Sequence, residues 1–277
     1  MAWAQITEKL LDPYSTRARL APGLLLLLPV ILFLVCTLGP KSPLLTALSS
    51  VLVTCGGPYA LSSFVRAYGQ RAQDRLYLAW GGKPTTLILR HSDTRIPPGT
   101  KKLYHEHIAA KFNLSIPSAE DEARDMADAD NVYLDATNRV IQATRDSKRY
   151  PLVFKELIAY GFNRNCYGIR WIGAAVSLAV FSLTLVHIGA IPWRDWPTFS
   201  DKVASITTES GVSLLVSAGM LLIWLCHFTG GTVKQSGFAY AERLCEALTK
   251  VPRPANRTKK ATRDEGADAN RPHAASD

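Results

Sequence analysis

Long apolar runs alternate with charged stretches in a simple order along the chain. Residues 20–38, 44–65, 171–193 and 211–230 contain no Asp, Glu, Lys or Arg. Each run is about 20 residues long, the length of helix that crosses a hydrocarbon core about 30 Å thick. The pattern predicts four transmembrane helices paired as two hairpins. The polar stretch 66–170 between them shows helical spacing rather than alternation. The expected fold is therefore all-α and integral to a membrane, with a helical domain inserted between the two hairpins.

Inside 66–170 the breaks are set by Gly and Pro. Helix runs on from the second span to about residue 80, where Gly81-Gly82-Lys83-Pro84 interrupts it. Pro84 suits a first helical position, so a short helix is predicted over 84–90, with at most a short strand near 87–89. After Ile96-Pro97-Pro98-Gly99, helix is expected over 101–113. Ser118-Ala119-Glu120-Asp121 resembles a capping box with Asp in place of Glu. It opens an acidic helical stretch, 119–129. From Asp130, the spacing of Val132, Tyr133, Ala136, Val140, Ile141 and Thr144 is that of an amphipathic helix. Pro151 restarts the chain, and Leu152, Phe154, Leu157, Ile158 and Phe162 lead into the third span.

Around these elements lie a stub at 1–19, an amphipathic helix at 231–251 and a polar tail at 252–277 whose composition predicts disorder. The amphipathic helix places Phe238, Ala241, Leu244, Cys245 and Leu248 on one face, suited to the bilayer surface or to the middle domain.

Charge placement orients the spans. Of 32 Lys and Arg, only Lys41, Arg194 and Lys202 lie in the two links within hairpins. The asymmetry places both termini and 66–170 in the cytoplasm. Trp171, Trp193 and Trp196 stand at the ends of the third span, where indole rings favour headgroups. A cleaved signal peptide is disfavoured because a second span follows the first at once. Overall composition, 47% hydrophobic, would suit a soluble protein and hides this layout. Residues 66–170 carry a net charge of +5, from seventeen basic and twelve acidic residues. That charge favours anionic lipid headgroups, at about 1 kcal/mol per basic residue near the surface. RNA or a nucleotide could exploit the same charge, but the plain reading is a basic cytoplasmic face, and nucleic acid is not the expected partner. Five cysteines without a CxxC pair predict no structural disulfide.

Several residues together resemble a family. Gly81-Gly82-Lys83-Pro84-Thr85-Thr86, Leu89-Arg90, Thr144-Arg145-Asp146 and Tyr160-Gly161-Phe162-Asn163-Arg164-Asn165 are similar to a signature of uncharacterised bacterial inner-membrane proteins, GGxPTT…LR…TRD…YGFxRN. The resemblance covers about 75–173. It implies a bacterial inner-membrane setting and no stated activity.

Candidate chemistry is sparse. The strip Tyr160, Gly161, Arg164, Asn165 and Gly168 lies just before the third span. Gly161 and Gly168 would bend the helix or admit another chain. Arg164 and Arg170 could meet phosphates or acids such as Asp146 and Glu156, and Asn165 could satisfy a loose backbone group. The strip reads either as an elbow near the membrane or, with Thr85, Thr86, Arg90 and Arg145, as a ligand or phosphate pocket. His105 and His107 point apart on a helix and suggest no metal. The acidic residues Asp121, Glu122, Asp125, Asp128 and Asp130 match no calcium loop and read as a solvated face. Gly56-Gly57-Pro58 marks a kink, a packing notch or a hinge in the second span. His187 and His227 fall in opposite leaflets. No P-loop, GxSxG, HExxH or dinucleotide motif occurs, so no catalytic residue, metal or cofactor is assigned.

The pattern supports three readings. In the first, the cytoplasmic domain senses a ligand or partner and the membrane unit responds, by analogy with effectors of bacterial defence. In the second, the protein is a non-catalytic scaffold tethering a cytoplasmic complex. In the third, it is a membrane-bound enzyme using the Arg/Thr/Tyr cluster. The bilayer and either a second copy or a cytoplasmic protein are the expected partners.

Overall fold

The computed structural model describes residues 12–189 and 206–250. The described residues form helices and no strands. Helix α1 (Pro13–Leu38) contains a π turn at Thr16–Leu20, and α2 (Pro43–Thr54) and α3 (Gly57–Trp80) follow. The short α4 (Pro84–Leu87), α5 (Pro98–Phe112), α6 (Ala119–Arg124) and α7 (Met126–Ala143) come next. Then come α8 (Pro151–His187), α9 (Thr208–His227, ending in a second π turn) and α10 (Gly230–Leu248).

Two cores share one helix. In an apolar bundle, Leu26 of α1, Val65 of α3, Cys166, Ile169 and Ala174 of α8 and Met220 and Trp224 of α9 pack together. In a polar lobe, Ile88, Tyr104, Ile108, Tyr133 and Val140 pack against Val233, Phe238, Leu244 and Leu248 of α10. Val153 and Tyr160 of α8 belong to this second core. The 37 residues of α8 thus run without interruption through both, a rod about 55 Å long.

Three helices, α1, α8 and α9, are long and apolar enough to cross a membrane, with a fourth if α2 and the helices after it count as one bent span. That second run is not one straight helix. Gly56 adopts φ +76°, a left-handed conformation that glycine tolerates, and the chain turns by 66°. A Cβ at Gly56 would touch nothing, so this residue marks a break rather than a packing notch.

Further boundaries differ from the sequence reading. Helix α1 begins at Pro13, inside the expected stub. The third apolar run leaves helix after His187, and Trp193 and Trp196 lie outside the described residues, as does the tail 252–277. Gly161 and Gly168 do not interrupt α8. They are contact points: a Cβ on Gly168 would sit 2.7 Å from the backbone of Tyr68 and Gly69, and one on Gly161 would sit 2.8 Å from the Tyr14 hydroxyl. In place of a strand at 87–89, Leu87 ends α4 and residues 88 and 89 form a buried turn. Helix α10 packs into the polar lobe, with the five residues of its apolar face all buried.

Candidate functional site

In the acidic run Asp121, Asp125 and Asp128 are exposed, as a solvated face requires, whereas Glu122 is buried and Asp130 half-buried. Asp121 completes the capping box with Ser118, and Asp125 caps α7 by accepting from the Ala127 and Asp128 N–H groups. Asp130 forms a bidentate pair with Arg90, which also donates to the Gly81 carbonyl. Glu122 is only 3% exposed. It accepts from the backbone N–H of His91, the N–H and hydroxyl of Ser92 and the Tyr133 hydroxyl. Lys101, also buried, donates to the carbonyls of Arg90 and Asp93, and the His105 ring bonds the Leu89 carbonyl at 2.8 Å. Glu122, Lys101 and His105 thus clamp the turn 88–93, adding side-chain partners to the backbone's own i→i−3 and i→i−4 bonds.

The environment sets the charge of each group. Burial would raise the Glu122 carboxyl, but its four donors outweigh this and hold it below the ordinary range. Burial lowers both Lys101 and His105. Bonding to Asp130 holds Arg90 charged. Stability contributed by a depressed Glu is complete above its unfolded value, about 4.3, and lost as pH falls through its lower folded value. A histidine held neutral likewise loses stability below about pH 6.5. The opening free energy of residues 88–93, from hydrogen exchange corrected for its intrinsic pH dependence, is therefore expected to fall below about pH 6.5 and to fall again below about pH 4.

A second cluster lies where the two cores meet. The hydroxyls of Tyr160 and Tyr77 are 2.7 Å apart, and Tyr160 also donates to Gln73 at 3.3 Å. Arg164, largely buried, donates to the Gln73 side-chain carbonyl at 2.8 Å and to the Asn165 side-chain carbonyl at 3.2 Å. Asn165, fully buried, donates to the Ala18 carbonyl at 2.5 Å. That carbonyl lies in the π turn of α1, where the helical ladder is disturbed. The cluster joins α1, α3 and α8. Asn165 therefore satisfies a loose backbone group, while Arg164 meets amide oxygens rather than Asp146 or Glu156. Arg170 stacks over Tyr167 and Trp171.

The proposed pocket of Thr85, Thr86, Arg90, Arg145, Tyr160, Arg164 and Asn165 is not assembled. Arg90 binds Asp130 near the start of α7, whereas Arg145 is exposed beyond its end, about 20 Å further along the axis. The Thr85 carbonyl accepts from Thr137. Thr86 is buried with its hydroxyl unpartnered among the described residues, beneath the turn. Tyr160, Arg164 and Asn165 belong to the second cluster. His105 and His107 turn to different carbonyls, those of Leu89 and Leu103. Sequence reasoning did not assign roles to Gln73 and Tyr77, or to Arg149 and Tyr150 at the start of α8. Helical spacing connects none of them to its partners.

No family model, no curated protein and no solved structure matches the chain. Function must be inferred from this geometry.

Proposed function

We propose that the protein is a multi-pass protein of the bacterial inner membrane whose cytoplasmic polar lobe senses a ligand or partner and transmits the event to the apolar bundle. The observation that carries this reading is α8, one unbroken helix belonging to both cores. A rigid element shared by two packed units transmits displacement between them without a hinge.

The bundle's inside-out polarity supports a lipid setting. Ser177, Thr184, Ser213 and Ser217 are buried, while Leu178, Leu183, Leu215 and Leu222 are exposed. Water would penalise such an arrangement, whereas lipid accepts apolar side chains outside and small or hydroxylic residues at helix contacts. Basic residues concentrated outside the hairpin links support cytoplasmic termini.

Helix α2 supports a membrane-perturbing output. Its 12 residues span about 18 Å, too short to cross a bilayer. Most of its apolar side chains are exposed, Val53 by 65%. With the start of α3 it forms one bent span, whose uncovered half suits contact with a second copy.

The test is expression of the full chain in bacteria loaded with a potential-sensitive dye, under phage infection and nucleotide stress. Dissipation of the potential is expected under a trigger. It should be abolished by inserting two glycines after Arg170, which rotates the bundle part of α8 by about 200° relative to the lobe. An unchanged potential under every trigger, with a stoichiometric cytoplasmic protein co-purifying, would establish the tethering role instead. A reporter fused near Asp121 that proves periplasmic would overturn the topology.

A further inference from the structure

The start of α8 lines a cavity of about 480 Å³ between that helix, α5 and α10. This volume falls within the range of small-molecule sites, roughly 300–1,000 Å³. Tyr150 lines it, is 5% exposed and has no partner for its hydroxyl among the described residues. A buried hydroxyl without a partner costs about 1–3 kcal/mol, so a ligand oxygen there would be stabilising.

The charge at the cavity favours an anion. Arg149, Arg243 and Lys250 line it, against Glu246 alone, and Glu246 is already paired with Arg243. Arg149 has no carboxylate partner among the described residues; its guanidinium lies 5.6 Å from the Tyr150 ring centroid. The helix end adds to this. Pro151 is the first residue of α8, and no side chain caps the N-terminus. The N–H groups of the first turn have no acceptor within the helix, and the dipole of a long helix favours negative charge there. Tyr104, Leu152 and Val153 add apolar lining.

We infer that this cavity binds a water-soluble organic phosphate of nucleotide size, with the phosphate on Arg149, the Tyr150 hydroxyl and the free N–H groups of α8, and the organic body against Tyr104 and Val153. A lipid headgroup is the other source of phosphate. It is disfavoured because about 20 residues of α8, roughly 30 Å, separate Tyr150 from the start of the apolar run at Trp171. Any effect on the bundle rests on the sensor reading above; occupancy of the site does not.

The full chain in detergent, titrated calorimetrically with ATP, inorganic phosphate and phosphatidylglycerol vesicles, tests the assignment. ATP is expected to bind saturably, one per chain, and at least about tenfold more tightly than inorganic phosphate. Arg149→Ala should weaken ATP about tenfold or more, and Tyr150→Phe about three- to tenfold, the effect of one lost hydrogen bond. Arg149 is exposed and Phe preserves the buried ring, so both variants should fold, which circular dichroism checks. Absence of saturable ATP binding, ATP affinity unchanged by Arg149→Ala, or ATP binding no tighter than inorganic phosphate would overturn the assignment. So would vesicle binding that depends on Arg149 while ATP does not bind. ATP binding without any change of membrane potential would remove the coupling and leave the site. Loss of ATP binding in a chain that still dissipates the potential would do the reverse.

Discussion

Gly168→Leu is expected to separate α3 from α8 and to lower the stability of the bundle by about 3 kcal/mol, the upper end of ordinary overpacking. The cause is backbone against backbone. A Cβ at position 168 would meet Tyr68 and Gly69 main-chain atoms at 2.7 Å, and main chain cannot rotate aside. Gly69 makes the same demand from the other helix, since a Cβ there would collide with Asn165. The two helices approach at paired glycines, and a side chain at either one pulls Asn165 from the Ala18 carbonyl and Arg164 from Gln73. Heat unfolding in detergent, followed by tryptophan fluorescence, reads the effect. Leu178→Ala on the exposed face of the same helix is the control, with an expected change within about 0.5 kcal/mol. Equal stability of wild type and Gly168→Leu would show that α3 and α8 are not in contact there.

Glu122→Ala should cost the polar lobe about 3–5 kcal/mol, the scale of breaking a buried charged network from one side. The substitution leaves two N–H groups and two hydroxyls without their acceptor. Tyr133→Phe removes a single donor from a carboxylate that keeps three others, and should cost about 1 kcal/mol. Denaturation followed by circular dichroism gives the ranking, and limited proteolysis near residues 88–96 should report the released turn. Similar losses for the two variants would mean that Tyr133 alone holds Glu122 in place. The Glu122→Ala chain should also lack the exchange transition expected below about pH 4.

The local features were legible in the residues. Ser118 and Asp121 announce a capping box, Gly81-Gly82 a helix end, Pro84 and Pro151 helix starts, and the spacing in α7 and α10 their buried faces. The polar contacts were not legible. Arg90 and Asp130 are 40 positions apart, Arg164 and Gln73 are 91 apart, and no periodicity relates such pairs. The acidic run shows why: Asp121, Asp125 and Asp128 are exposed as their residue type suggests, but nothing local marks Glu122 as the acceptor that a neighbouring turn needs. Gly161 and Gly168 were equally ambiguous. A glycine both weakens a helix and admits a neighbour, and only the position of Tyr14 and of the α3 backbone decides between the two.

By itself, the order of residues determined an all-helical chain with runs apolar enough to cross a membrane and breaks at Pro and Gly, because helix period and backbone restriction act within a few residues. Tertiary structure alone decided that α8 passes unbroken through two cores and that a bend sets α2 off from α3. It also decided that Arg90 and Glu122 are committed to holding a turn while Arg149 and Tyr150 line a cavity. A polar side chain's role depends on which donors and acceptors folding brings within about 3 Å of it, and that distance is set by contacts remote in the chain.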